Sequence, residues 1–257
     1  MTVRGIAKVM VNSTLRHLGL QVRALVNDDQ RRAQQSKKLT PEIVRKYFDR
    51  CSPRILQLAA GPDYRAECYR NWLNSDIANP VSSEGGVYSI YMDLNEGFPL
   101  PDDSFDYVFS QQGIEHFTYY RAAKILRECL RVLKPRGKIR IETPNLNYFI
   151  DRYRNNDRAV APATHQFAKE LDAPPTHLTS LNSIFFQFGH QYVYDIQALI
   201  DLCRQCGFAD VREVEMCKTD IIPFQAAIAF NPCSNPDVFY IEHSFALEME
   251  KSAAGSA

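Results

Sequence analysis

Residues 54–76 read RILQLAAGPDYRAECYRNWLNSD, and they decide the fold. Ile55, Leu56 and Leu58 form a short apolar run that ends in a turn of small residues, Ala59, Ala60 and Gly61. A second apolar run, Trp72 and Leu73, ends in a carboxylate, Asp76. In an open parallel sheet, nucleoside-bearing ligands are held where adjacent strands end. The turn after the first strand is small so that backbone can approach the ligand, and the acid after the next takes ribose hydroxyls.

Downstream, residues 92–116 read MDLNEGFPLPDDSFDYVFSQQGIEH, residues 130–145 read LRVLKPRGKIRIETPN, and residues 192–216 read YVYDIQALIDLCRQCGFADVREVEM. Taken with the first stretch, these segments resemble the class I S-adenosylmethionine-dependent methyltransferases. The branch concerned has a shortened loop after the first strand and a PFPDNSFD-like segment before the fourth, here Pro99 to Asp106. The resemblance implies an α/β fold with a Rossmann-like, seven-stranded, mostly parallel sheet and an antiparallel last strand, expected over 238–248. It also implies a fifth strand at Lys138–Thr143 entered by a Lys-Pro-x-Gly turn, and a helix from Val193 to Cys206 that closes at Gly207.

Within that resemblance, S-adenosyl-L-methionine is the implied cofactor. Its expected contacts are Leu58, Ala59, Ala60 and Gly61 in the first turn, Asp76 and Ile77 after the second strand, and Asp93 and Leu94 after the third (VYSIYMD). Gln111 and Gln112 are expected beside its methionine end. The family's Gly-x-Gly appears here as Ala59-Ala60-Gly61. If position 59 requires positive φ, alanine is strained there by about 1 kcal/mol or more; if it only needs to be small, alanine is harmless. Asp106 is expected to be structural.

Glu115 and His116 match the family's Glu-His pair. His116 reads equally as a general base, with a pKa near neutrality, or as a brace for the loop; for Glu115 the structural role is favoured. His190, in FGHQYVYD, matches a Gly-His-x-x-x-Tyr-Asp signature, with Tyr192 and Tyr194 beside it. His116, His190 and Tyr194 are the candidate catalytic side chains. Asn145, Tyr148, His190 and Tyr192, with Asn147 nearby, are candidates for holding a small-molecule acceptor. Methyl transfer from a sulfonium depends mostly on placement, because the donor is already activated.

The remaining segments are read more coarsely. Residues 1–45 are expected to be helices forming a lid over the cofactor, with 27–39 a polar linker and Thr40-Pro41-Glu42 a helix start; a basic amphipathic beginning also suits a transit peptide or a surface anchor. Residues 46–257 form the methyltransferase domain, interrupted at 144–190 by an aromatic-rich cap that either lines the substrate pocket or packs on the sheet. Thirty basic and thirty acidic residues give a formal net charge of zero, which argues against a nucleic-acid backbone binder. No apolar run approaches a membrane span. Seven irregularly spaced cysteines are expected to be reduced, and Cys203-x-x-Cys206 is read as helix packing rather than a metal site. A cytoplasmic monomer or homodimer methylating a nitrogen or oxygen is the leading expectation. The same cofactor used by a cyclase or aminocarboxypropyl transferase releasing methylthioadenosine is the second, and a non-catalytic partner subunit the third.

Overall fold

The computed structural model describes residues 32–155, 162–230 and 243–253. Its centre is an eight-stranded sheet in the order β3-β4-β2-β1-β5-β6-β8-β7. The strands are β1 (Ile55–Leu58), β2 (Leu73–Asp76), β3 (Ser82–Glu84), β4 (Val87–Tyr91), β5 (Phe105–Gln111), β6 (Leu133–Pro144), β7 (Phe208–Val214) and β8 (Ser244–Lys251). β4, β2, β1, β5 and β6 run parallel, and β8 lies antiparallel between β6 and β7. The strand order reverses between β1 and β5. In open α/β sheets that switch point is where ligands bind, outside the carboxyl ends of the strands.

One strand was missed by sequence reading. β3 pairs antiparallel with β4 through Gly85 (φ 58°) and Gly86 (φ 79°). Two consecutive positive-φ residues make the tight turn that matches strand twist, and Gly-Gly supplies it without a Cβ clash. β6 also starts earlier than expected, at Leu133. The Lys-Pro-x-Gly turn lies inside it as an irregularity, where the pairing with β5 shifts between Phe105 and Tyr107. A Cβ on Gly137 would sit 2.8 Å from the Lys134 carbonyl oxygen, so only glycine fits that bend. β8 begins at Ser244, later than the expected strand, and runs to Lys251; residues 238–242 lie outside the described residues.

One face of the sheet is covered by α1 (32–50), α2 (Tyr119–Val132) and α6 (Ile196–Gln205). α2 is fixed at its start by Thr118, whose side chain accepts from the Arg121 N–H, and it buries Ala122, Ile125, Leu126, Cys129 and Val132 along one stripe. α6 is capped by Asp195, which accepts from the Ala198 N–H at 2.7 Å. Gly207, at φ 102°, ends that helix. The opposite face is packed by Trp72, Tyr69, Phe109 and Phe224, the last from α7 (Ile222–Phe230). The chain after β1 makes only short 3₁₀ turns (Pro62–Arg65 and Glu67–Tyr69), so α7 fills space beside them.

The N-terminal expectation changes. Residues 32–39 are helical rather than a linker, and Pro41 lies within α1 instead of at its first position. Thr40 Oγ1 donates to the Ser36 carbonyl at 3.0 Å. The boundary expected at 45/46 falls inside this helix, whose Ile43, Val44 and Tyr47 are core residues. Tyr47 donates its hydroxyl to the Ile55 carbonyl and accepts from the Ile55 N–H, tying α1 to β1. Residues 1–31 of the expected helical lid lie outside the described residues.

The cap is helical: α3 (Leu146–Asn155), α4 (Pro162–Glu170) and α5 (His177–Phe186). Of its aromatics, Phe149 is buried, whereas Tyr153, Phe185, Phe186 and Phe188 are exposed. Among the described cysteines, Cys51, Cys68, Cys129, Cys203 and Cys206 are free thiols. Cys217 is disulfide-bonded, against the expectation that all seven are reduced. Cys203 and Cys206 are buried in the α6 packing face, as read from the sequence. No helix among the described residues is long and apolar enough to cross a membrane.

Candidate functional site

The carboxyl ends of β1 and β2 build the first part of the site. Ala59 takes φ 48° and Gly61 φ 61°, so the turn does use the left-handed region at position 59, where alanine carries strain of about 1 kcal/mol. Other contacts hold the turn in place. The Ala60 N–H donates to the Ser75 carbonyl at 3.0 Å. The Gly61 N–H donates to Asp76 Oδ2 at 3.0 Å, and Asn79 Nδ2 donates to the Gly61 carbonyl at 2.6 Å. Asp76 Oδ1 accepts from the Ala78 N–H at 2.8 Å. Each carboxylate oxygen of Asp76 thus has one backbone donor and keeps a lone pair for a further one. Ile77, next in sequence, is 63% exposed, an unusual position for an isoleucine and suited to packing on a ring.

Asp93 and Leu94 follow β4. Asp93 Oδ1 accepts from the backbone and side-chain nitrogens of Asn95 at 2.9 and 3.0 Å. Asp93 also lines a cavity of about 470 Å³, walled on one side by Lys37, Thr40 and Pro41 of α1 and on the other by Tyr91 and Phe98. Lys37 reaches Glu96 at 2.6 Å across it. Leu94 lies with Leu58, Ser110, Gly113 and Ile114 around a narrow apolar crevice.

The loop after β5 comes close to the first turn. A Cβ added to Gly113 would meet Ala59 Cβ at 3.3 Å and Ser110 Oγ at 3.2 Å. Gln111 and Gln112 share this loop, but their amides turn towards β6 and β8: Gln111 Nε2 donates to Glu142 Oε2 at 2.7 Å, and Gln112 Nε2 to Ser244 Oγ at 3.1 Å. Glu142 is held in turn by Arg140, which is wholly buried and also pairs with Glu248 at 2.9 Å. Asp106 has the structural role expected of it, accepting from the Arg54 N–H at 2.8 Å and pairing with Lys134 at 2.7 Å.

The second part of the site is a polar cluster on the short turn Ile114–His116. His116 and His190 have ring centroids 5.0 Å apart. Ligand atoms of Glu115, His116 and His190 all lie within 4.8 Å of one another. The N–H groups of Gln191 and Tyr192 both donate to the Glu115 carbonyl, at 2.8 and 3.2 Å, which straps the segment after α5 onto this turn. His190 Nδ1 lies 2.7 Å from the Ile184 carbonyl, so that nitrogen carries the proton and Nε2 has its lone pair available.

Glu115, for which a structural role is expected, is the most deeply enclosed member of the cluster. Its side chain is wholly buried, and burial pushes its carboxyl up to about 7. Thr143 Oγ1 donates to Oε2 at 3.0 Å, while Oε1 has no hydrogen-bond partner among the described residues. Burial also lowers the pKa of His116 and of His190, favouring neutral imidazoles. Tyr194 is fully buried, its hydroxyl has no partner among the described residues, and desolvation raises its pKa, with a contribution from the Glu115 charge.

Other candidates are arranged around this cluster. Tyr192 packs on Tyr194 at 4.8 Å and on Tyr119 at 5.3 Å. Asn145 pairs with Tyr194 in an isolated parallel bridge, and its Oδ1 accepts from the Asn147 N–H at 3.1 Å. Tyr148 instead packs against Phe149 at 5.3 Å and His243 at 6.4 Å. The structure therefore brings Glu115, His116, His190, Tyr192, Tyr194 and Asn145 together, with Tyr148 on the side of the C-terminal strand.

Parts of the chain are similar to known proteins. Residues 72–141 match a family model described as a methyltransferase domain. A probable S-adenosylmethionine-dependent methyltransferase of Mycolicibacterium smegmatis is 32% identical over 117 residues, 40% of this chain and 43% of that protein. An uncharacterized methyltransferase of Bacillus subtilis is 26% identical over 144 residues, 50% of this chain and 51% of that protein. The chain spans about half or less of the length of these relatives. Among solved structures, an Archaeoglobus fulgidus S-adenosylmethionine-dependent methyltransferase is similar at 18% identity with a TM-score of 0.46, over 86% of this chain and 94% of that one. The central part of the chain is thus similar to S-adenosylmethionine-dependent methyltransferase domains, the family that its motifs resemble.

The residues present fit that cofactor. Asp76 retains acceptor capacity for hydroxyls, Ile77 and Leu94 offer apolar faces, and the close approach of Gly113 to Ala59 keeps both loops as backbone surfaces.

Proposed function

We propose that this chain transfers the methyl group of S-adenosylmethionine to a nitrogen or oxygen of a small molecule. The observation that carries this reading is the meeting, at the topological switch point, of the turn at Ala59–Gly61, the β2 carboxylate Asp76, and the β5 loop that ends in a buried polar cluster.

When bound, the cofactor supplies an activated methyl group on sulfur. In this reading Asp76 holds the ribose, Ile77 and Leu94 flank the adenine, and Asp93 lies at its edge. The backbone of 59–61 and 111–113 runs beside the methionine end. Lys37 and Thr40 close the Asp93 side as the beginning of the lid, a role supported by the Lys37–Glu96 contact. The acceptor lies between the loop at 112–116 and the segment 190–194, with His116, His190 and Tyr194 as its polar wall, and Asn145, Tyr148 and Tyr192 further out. Catalysis then rests on holding the acceptor atom in line with the methyl–sulfur bond, an effect worth several orders of magnitude in effective concentration.

The test is product analysis by mass spectrometry after incubation with the cofactor and a panel of amines, phenols and sugar alcohols. S-adenosylhomocysteine with a methylated acceptor is expected. Methylthioadenosine would instead establish attack on the aminocarboxypropyl arm, and failure to bind the cofactor at all would overturn the assignment.

A further inference from the structure

We infer that Glu115, His116 and His190 form a binding site for a single divalent transition-metal ion. Two imidazoles and one carboxylate are the donor set of open zinc and non-haem iron sites, and they favour borderline metals over magnesium or calcium, which prefer all-oxygen shells.

Geometry supports this on three counts. First, one ligand atom from each residue lies within 4.8 Å of the other two. Bonds of 2.0–2.2 Å in a tetrahedral site put ligand atoms about 3.4 Å apart, so rotation of half-buried side chains must draw them in by roughly 1 Å. Second, the outer contacts already orient the donors. His190 gives its Nδ1 proton to the Ile184 carbonyl, His116 interacts with the Gly189 backbone, and Thr143 donates to Glu115 Oε2. Metal-binding histidines are characteristically oriented by such second contacts, which fix the tautomer and leave the other nitrogen to the ion. Third, a carboxylate oxygen is left for a cation: Glu115 is wholly buried, and its Oε1 has no hydrogen-bond partner among the described residues. A buried carboxylate oxygen without a partner costs about 1–3 kcal/mol or more, and a bound cation would remove that cost.

Three protein ligands leave at least one coordination position open. The Tyr194 hydroxyl, also buried and without a partner among the described residues, belongs to the same cluster. The site does not depend on methyl transfer: a protein that bound metal and left S-adenosylmethionine unchanged would refute the proposed activity and leave this inference standing.

The experiment uses the full chain without an affinity tag, stripped with chelator and dialysed against Zn²⁺, with metal content measured by mass spectrometry. Co²⁺ serves as a spectroscopic probe of imidazole–carboxylate coordination. One equivalent is expected, together with the visible Co²⁺ bands of a low-coordinate site. His116→Ala, His190→Ala and Glu115→Gln should each weaken binding by more than about 100-fold, since loss of an outer contact alone costs 10–100-fold. Circular dichroism in chelator checks that each variant is folded. His190→Ala, on a half-buried segment outside the sheet, keeps the test available if Glu115→Gln does not fold. Substoichiometric metal in the parent protein, or unchanged affinity in the folded variants, would overturn the site. So would binding that survives all three substitutions but is lost with Cys203→Ser.

Discussion

The turn at Ala59–Gly61 and the cluster at Glu115, His116 and His190 lie at the same edge of one sheet, yet their polar groups are treated in opposite ways. At the turn, each carboxylate oxygen of Asp76 has a backbone donor, and the Gly61 carbonyl is held by Asn79. In the cluster, Glu115 Oε1 and Tyr194 Oη are buried without partners among the described residues. The first arrangement is finished before any ligand arrives and presents a rigid backbone surface. The second contains unsatisfied groups whose desolvation is offset only when something else binds. A frame that positions and a polar cluster that is left unsatisfied are therefore built side by side, after the neighbouring strands β1 and β5.

The contrast is broken most severely from behind. Arg140 is wholly buried and neutralises Glu142 and Glu248, and Glu142 in turn receives Gln111. Arg140→Met takes the buried cation from Glu142 and leaves Glu248 only its longer contact with Arg212 at 3.7 Å, and should destabilise the fold by roughly 3–5 kcal/mol, loosening both regions together. Chemical denaturation measures the loss, and a cost below 1 kcal/mol would show that the network is not the support for either.

Thr143→Val separates the two regions. It removes the hydroxyl that donates to Glu115 Oε2 at 3.0 Å and touches nothing at the turn. A loss of roughly 1.5–3 kcal/mol in stability is expected, because the acceptor is a carboxylate. Affinity for S-adenosylhomocysteine should stay within about twofold of the parent, an equivalence of some 0.4 kcal/mol. Calorimetry showing a tenfold fall would mean that cluster and turn are one cooperative unit.

Ala59→Gly has the smallest effect and the opposite sign. The backbone already sits at φ 48°, so removing the Cβ relieves local strain, against a gain in unfolded-chain entropy. A net stabilisation of at most about 0.6 kcal/mol is expected in thermal melts. Destabilisation would show that the alanine methyl packs usefully against its surroundings.

Much of the frame was legible in the sequence because it rests on local signals. The apolar runs around Ile55 and Leu73, the Pro99–Asp106 segment and the Gly207 helix stop each act within a few residues of themselves. The β3–β4 hairpin rests on an equally local signal, Gly85-Gly86, which the expected seven-stranded sheet leaves out. α1 was misplaced because Pro41 reads as a helix start, whereas burial of Ile43, Val44 and Tyr47 and the Tyr47–Ile55 contacts stabilise a longer helix around it. The cluster was only half legible. His116 and His190 carried motifs, but the importance of Glu115 depends on Thr143 and on the strap from 191–192, contacts between residues far apart in sequence that no local pattern reports. The same holds for the amides of Gln111 and Gln112, whose orientation is set by Glu142 and Ser244 on neighbouring strands.

The central claim is that the preformed turn and the Asp76 carboxylate hold S-adenosylmethionine. Isothermal titration of S-adenosylmethionine and S-adenosylhomocysteine into the parent chain and Asp76→Ala tests it most directly. Saturable one-to-one binding is expected for the parent, weakened by roughly 1–3 kcal/mol, about 5- to 150-fold, in the variant. Absence of binding to the parent, or equal affinity in a folded Asp76→Ala protein, would contradict the account.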